Sequence, residues 1–164
     1  MSSDAELASL AKALGDRLRG KRLKLAVAES CTGGWIAKSV TDVSGSSQWF
    51  DRGFVVYSNR AKTDLLGVAA QTLLQFGAVS EQVALEMAQG ALARSHADLA
   101  LAITGIAGPD GGTPEKPVGL VWLATRRRGR DAAAAEHRFA GDRDAVRRQA
   151  VATALQRLIE EVER

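Results

Sequence analysis

The chain has 164 residues, 46% of them hydrophobic, and a formal net charge of +3. That length and apolar content suit a single domain over residues 1–164 with a sizeable core, and no apolar run approaches the roughly 20 residues needed to span a membrane. A single cysteine excludes an internal disulfide and a cysteine-built zinc site, two widely separated histidines make a poor metal site, and 5% aromatics leave few rings for a single-strand nucleic-acid stacking platform.

The first residues, Met1-Ser2-Ser3-Asp4, carry neither the basic nor the apolar segment of a signal peptide, so a reducing cytoplasm is the expected setting. Leu7, Leu10, Ala11, Leu14 and Leu18 recur at helical spacing, and Gly20 follows as a stop. Residues 23–28 read as a buried strand and residues 32–42 as a helix with Ile36, Ala37 and Val40 inward. Ser44-Gly45-Ser46-Ser47 is a loop by composition, and residues 50–57 form a second strand rich in Phe, Val and Tyr. Short helices follow over 59–66 and 70–76, closed by Gly67 and Gly77, and Ser80 caps a longer one that runs to about residue 95. Residues 98–104 are apolar enough for a central strand. A loop over 105–117 holds four glycines and three prolines. Residues 118–126 and 132–139 form a hairpin around Arg128-Gly129-Arg130-Asp131, and residues 142–162 close the chain as an amphipathic helix. Strands separated by helices, then a hairpin and a helix, predict an α/β fold: a three-layer α/β/α sandwich around a mixed five-stranded sheet.

Chemistry concentrates in four segments. Glu29-Ser30-Cys31-Thr32-Gly33-Gly34 joins a strand to a helical pattern, which places a hydroxyl and a thiol near helix N–H groups suited to an oxyanion or a phosphate. Ser30 needs a base to become a nucleophile. His96 and His137 lack a triad context, so a Ser-His-Asp arrangement is disfavoured. Lys62 offers an alternative, because burial lowers a lysine's pKa. It falls on the first turn after Tyr57-Ser58-Asn59. If the first two strands are parallel neighbours, Ser30 and Lys62 lie at one edge of the sheet. From spacing alone this competes with the commoner case of an exposed first-turn lysine.

The third segment, Thr104-Gly105-Ile106-Ala107-Gly108-Pro109-Asp110-Gly111-Gly112, leaves the carboxyl end of the central strand, where open α/β sheets bind ligands. It matches neither a Walker loop nor a dinucleotide fingerprint, and its length favours function over a plain surface loop. In the fourth, Arg143 and Arg147 are four residues apart and share a helix face, positioned either to grip an anion or to pair with Asp144 and nearby acids. Eight arginines between residues 126 and 148 raise a nucleic-acid role, but a solvated hairpin tip is the preferred reading of Arg126 to Arg130.

Together these segments resemble the CinA C-terminal family. The matching text runs from Ala28-Glu29-Ser30-Cys31-Thr32-Gly33-Gly34 through Val56-Tyr57-Ser58-Asn59-Arg60-Ala61-Lys62 and Leu66-Gly67-Val68. It continues with Gly77-Ala78-Val79-Ser80, the loop from Thr104 to Gly112, and Lys116-Pro117-Val118-Gly119. Stand-alone members of that family are nicotinamide-nucleotide amidohydrolases, and longer ones carry an additional N-terminal domain. The resemblance implies hydrolysis of the carboxamide of nicotinamide mononucleotide by a Ser/Lys mechanism without a metal or cofactor, in pyridine-nucleotide salvage. It implies Ser30 as nucleophile, Lys62 as base, Tyr57 as an assisting hydroxyl and Thr104 as a substrate contact, with one of Arg143 and Arg147 joining it. Backbone groups of Cys31, Thr32, Gly33, Gly34, Gly105 and Gly108, together with Asn59, complete the expected substrate site. The expected partner is a pyridine mononucleotide; a homodimer is expected, and a membrane is not. Three rivals remain: Cys31 as nucleophile, a nucleotide-sensing module without turnover, and a competence- or damage-related binding module.

Overall fold

The computed structural model describes residues 2–164. In chain order the elements are α1 (Asp4–Lys21), β1 (Leu25–Glu29), α2 (Trp35–Thr41), a 3₁₀ turn (Ser46–Gln48), β2 (Phe50–Val55), α3 (Asn59–Leu66), α4 (Ala70–Phe76), α5 (Glu81–Ala93), β3 (Leu99–Gly105), β4 (Leu120–Arg127), β5 (Ala133–Arg138) and α6 (Arg143–Glu163). The strands form one sheet in the order β2-β1-β3-β4-β5. β1 runs parallel to both β2 and β3, and the β4–β5 hairpin joins antiparallel. This is the predicted mixed five-stranded sheet. No helix among the described residues is long and apolar enough to cross a membrane.

The two sheet faces are built from different side chains. Leu25, Val27, Leu99, Leu101 and Ile103 point toward α1, α2 and α6. Ala26, Ala28, Ala100 and Ala102 point the other way, toward α5 with Ala84, Ala88 and Ala91. Period-two alternation in fully buried strands therefore separates a large-residue core from a small-residue one. The alanine face lets α5 lie close to the sheet, and α3 then packs on α5 at Gly90. A Cβ at Gly90 would run into the carbonyl of Leu66, the last residue of α3. Gly90→Ala is expected to cost about 1–3 kcal/mol by overpacking and to displace the helix that carries Lys62. Chemical denaturation with a parallel activity assay checks this, and a variant with wild-type stability would show that α3 yields freely.

One segment departs from the predicted layout, and two others keep it but are tied down by side chains. The helix expected over 32–42 begins only at Trp35, because Gly33 and Gly34 sit at φ values of +59° and +100°, which no right-handed helix can use. The expected loop over 105–117 is pinned: Ile106 and Gly119 bond across its base, and Lys116 Nζ donates to the Phe76 carbonyl at the end of α4. The hairpin tip is not simply solvated. The Arg128 guanidinium donates to the carbonyls of Leu92, in the last turn of α5, and of Ser95 and Ala97 just beyond it.

Candidate active site

Parallel pairing of β1 with β2 brings their carboxyl ends to one edge of the sheet, and both site segments leave from there. The Val56 amide, just past β2, bonds to the Glu29 carbonyl, so the two exits stay in register. Ser58 then caps α3, its hydroxyl accepting the Ala61 amide, which fixes Lys62 one turn into the helix. The Lys62 side chain turns inward and is only 1% exposed. Its Nζ lies 3.0 Å from Ser30 Oγ, 3.0 Å from the Val56 carbonyl oxygen and 3.1 Å from that of Tyr57. Burial pushes its pKa below the ordinary lysine value. No carboxylate forms an ion pair with it among the described residues, and the amino end of α3 beside it disfavours positive charge further.

These partners decide where a lone pair would point. An uncharged amine has two N–H donors and one acceptor site. Carbonyl oxygens only accept, so both donors are assigned to Val56 and Tyr57, and the lone pair is left facing the Ser30 hydroxyl. The protonated amine can donate to all three. The same cage therefore serves both ends of a proton transfer without rearrangement.

Ser30 stands on a turn. Its amide bonds the Ile103 carbonyl of β3 and its carbonyl accepts the Gly33 amide. The first amides of α2 are already occupied from within the chain. The amides of Ile36 and Ala37, in the first turn of α2, donate to the carboxylate of Glu29 at 2.8 and 2.9 Å, and the Thr32 hydroxyl donates to it at 2.7 Å. Glu29 and Thr32 are both fully buried. The amides of Cys31, Thr32 and Gly34, in the turn itself, donate to no backbone carbonyl among the described residues.

The two arginines separate cleanly. Arg147 donates to the carbonyls of Cys31 and Thr32 at 3.1 and 3.2 Å and packs over the Trp35 ring, so it clamps the turn from behind. Arg143, one helical turn earlier, reaches the pocket, where it donates to the Gly108 carbonyl at 2.7 Å and to the Tyr57 hydroxyl at 3.1 Å. Tyr57 is 62% exposed. Its hydroxyl therefore sits with Arg143 rather than with the Ser30–Lys62 pair, and only its main-chain carbonyl holds the lysine. A proton relay through the phenol is not what this arrangement supports.

The pocket has a volume of about 180 Å³. Of the residues singled out in the sequence, Ser30, Cys31, Tyr57, Asn59, Lys62, Thr104, Gly105 and Arg143 line it. Thr32, Gly33, Gly34, Gly108 and Arg147 do not line it. The Thr104 hydroxyl is engaged with the Ala78 carbonyl at 2.9 Å, tying the end of β3 to the α4–α5 connection. Ala78, Val79 and Ala107 also line the pocket, within segments that carry the resemblance but with no role assigned to them. They are small apolar residues whose sequence carries no chemical signal. Glu29 was overlooked as a working residue, although a carboxylate ending an apolar strand must find donors and so was detectable. A larger surface depression of about 490 Å³ along α3 and α4 shares only Asn59 with this pocket and holds no paired nucleophile and base.

Cys31 is 7% exposed, and burial, with a smaller contribution from Glu29, raises its thiol pKa to about 12. Neither His96 nor His137 lines the pocket. No group of three or more His, Cys, Asp or Glu among the described residues could hold a metal ion.

The family model of the CinA C-terminal domain matches residues 7–162. The chain is 54% identical over 156 residues to the nicotinamide-nucleotide amidohydrolase PncC of Escherichia coli K12, covering 95% of this chain and 94% of that protein. It is 49% identical to the protein of the same name from Pseudomonas putida, covering 94% and 96%. A CinA-like protein of Akkermansia muciniphila is 52% identical, but there the match spans 37% of the longer chain. Among solved structures, a competence/damage inducible protein from Agrobacterium tumefaciens superposes with a TM-score of 0.94 at 49% identity, covering 97% of this chain and 96% of that one.

Proposed function

The chain belongs to the CinA C-terminal domain family, and on that premise we propose that it hydrolyses the carboxamide of nicotinamide mononucleotide, releasing ammonia and nicotinate mononucleotide. The observation that carries the reading is the buried Lys62 amine 3.0 Å from Ser30 Oγ, with its other two partners both carbonyl oxygens. Uncharged Lys62 takes the Ser30 proton as Oγ attacks the amide carbon. The main-chain N–H of Cys31, which lines the pocket and donates to no backbone carbonyl, receives the developing oxyanion. The ammonium of Lys62 then protonates the departing nitrogen, so ammonia leaves and an acyl-serine remains. Lys62, again uncharged, deprotonates the water that clears it. No metal is required by this sequence of steps.

A pocket of about 180 Å³ accommodates the pyridine carboxamide rather than the whole nucleotide, so the ribose phosphate extends past the rim where Tyr57 and Arg143 stand. Arg143 exchanges its hold on Gly108 and Tyr57 for an anionic group of substrate. Arg143→Ala is expected to raise KM for nicotinamide mononucleotide about 10–100-fold, the worth of a charge-assisted hydrogen bond, with a smaller change in kcat. Steady-state kinetics checks this; an unchanged KM removes Arg143 from the substrate site.

The primary test is ammonia release from nicotinamide mononucleotide by the purified protein. Turnover is the expected result, whereas saturable binding without ammonia would establish a sensor. A nucleic-acid role finds little support, because several of the arginines are engaged within the fold: Arg127 with the Glu161 carbonyl, Arg128 with the Ala97 carbonyl, Arg130 with the Arg164 carbonyl, and Arg148 with Asp4. A cytoplasmic homodimer fits the reading. Leu74, 82% exposed on α4, and Leu65, half-exposed on α3, supply apolar surface that a second copy would cover, and light scattering on the purified protein measures the assembly.

A further inference from the structure

We infer that Glu29 is a positioning residue for the hydrolysis proposed above: its buried carboxylate locks the turn that carries Ser30 and the main-chain donors beside it. The inference rests on that functional reading for its substrate but not for its geometry.

Glu29 ends β1 and immediately precedes Ser30. Its carboxylate is fully buried and meets three donors: the Thr32 hydroxyl at 2.7 Å, the Ile36 amide at 2.8 Å and the Ala37 amide at 2.9 Å. Every partner is a donor, the set an ionised carboxylate accepts. No lysine or arginine lies within salt-bridge distance among the described residues. A charge buried without a counter-ion is costly, so its retention there needs a return. Part of that return is that two otherwise orphaned N–H groups at the start of α2 are satisfied. The rest is geometric. Glu29 grips Thr32 from one side through its hydroxyl, and Arg147 grips it from the other through its carbonyl. Between Ser30 and α2 the chain includes Gly33 and Gly34, both in the left-handed region and neither able to hold a fixed course through side-chain packing. The clamp on Thr32 supplies the rigidity that those glycines lack. The Glu29 main chain adds a third tie, since its carbonyl accepts the Val56 amide and the Val56 carbonyl in turn accepts Lys62 Nζ. One residue thus ties the nucleophile's turn to the base's cage.

The mechanism needs Ser30 Oγ and the oxyanion donor held to a few tenths of an ångström, and loosening such a shell lowers turnover without touching substrate affinity. Glu29→Gln keeps the shape but sets an NH₂ group against one of the donors. Thr32→Val is milder, since it keeps the shape of the side chain and removes only the hydroxyl.

The test measures steady-state kinetics on nicotinamide mononucleotide, the pH profile of kcat/KM, thermal melting, and the rate of Ser30 labelling by a fluorophosphonate. For Glu29→Gln, kcat is expected to fall at least tenfold with KM within about threefold, and the acid limb of the pH profile should stay in place, because Lys62 keeps its cage. Labelling should slow in proportion to kcat. Thr32→Val should show a fall in kcat of about threefold or more while still melting in one cooperative transition, which keeps the inference testable if Glu29→Gln does not fold. Wild-type kcat in Thr32→Val, a loss confined to KM, or a shifted acid limb would overturn it. If the wild type labels at Ser30 but releases no ammonia, the substrate reading fails, and the labelling rates alone still decide the role of Glu29.

Discussion

Replacing Lys62 by methionine is expected to lower kcat/KM at least 10³-fold while leaving a folded protein. A serine hydroxyl is a weak nucleophile at neutral pH, and a positioned base contributes about 10²–10⁴-fold. Here the same amine is also the acid that protonates the leaving nitrogen, so both steps lose their proton carrier. Methionine fills the space of the lysine stem without its charge, whereas arginine at this position stays protonated and is expected to be equally inactive. Activity of the wild type should rise with pH through the lowered pKa of Lys62, because only the uncharged amine accepts the proton. The same shift makes a prediction about stability. The folded pKa lies below the unfolded value, so between the two the unfolded chain binds more protons and wild-type stability rises with pH. Methionine does not titrate. The stability difference between the two proteins should therefore move in favour of the wild type as pH increases, by at most about 1.4 kcal/mol per pH unit. Denaturation at several pH values measures that slope. A Lys62→Met protein that keeps a tenth of the activity would remove lysine-base chemistry from consideration.

How Lys62 comes to be buried shows where sequence reasoning stops. The alternation of strands and helices sufficed for the five-stranded sheet, and parallel neighbours sufficed to bring Ser30 and Lys62 to one edge. The inward turn of the amine depends on facts that no local pattern carries. One is the absence of a side chain at Gly90, which lets the end of α3 seat against α5. Another is the availability of two main-chain carbonyls, from Val56 and Tyr57, to receive its protons. Main-chain acceptors have no residue type and so leave no mark in a sequence. The arginines illustrate a second limit. Arg143 and Arg147 share a helix face, and their spacing identifies both. A single helical turn sends one to Gly108 and Tyr57 and the other to the carbonyls behind Ser30. Tyr57 illustrates a third: resemblance supplied a role for its hydroxyl, while the backbone course at the end of β2 points that hydroxyl toward Arg143. The start of α2 was misplaced for a local reason, since consecutive glycines in a helical pattern can equally be a turn that delays the helix.

Ser30→Ala is expected to reduce activity to near background, about 10⁴-fold or more below wild type, whereas Cys31→Ala should stay within about fivefold of it. The adjacent thiol is the intrinsically better nucleophile, so the contrast is a direct test of which side chain the fold activates. Geometry favours the hydroxyl, which alone lies within hydrogen-bond distance of Lys62 Nζ. Electrostatics disfavours the thiol. With its pKa raised to about 12 by burial and by the Glu29 carboxylate, Cys31 has a thiolate fraction on the order of 10⁻⁴ at pH 8. The base could in principle deprotonate Cys31 during attack, but Lys62 would have to give up its one acceptor direction toward Ser30, and its two carbonyl partners hold it in place. Iodoacetamide should therefore modify the native wild type slowly. Any loss of activity on modification should come from the bulk of the adduct against the pocket wall, and Cys31→Ala should be insensitive to the reagent while still turning over substrate. An inactive but folded Cys31→Ala, together with a Ser30→Ala that still releases ammonia, would transfer the nucleophile to sulfur and leave the Lys62–Ser30 contact as a structural hydrogen bond.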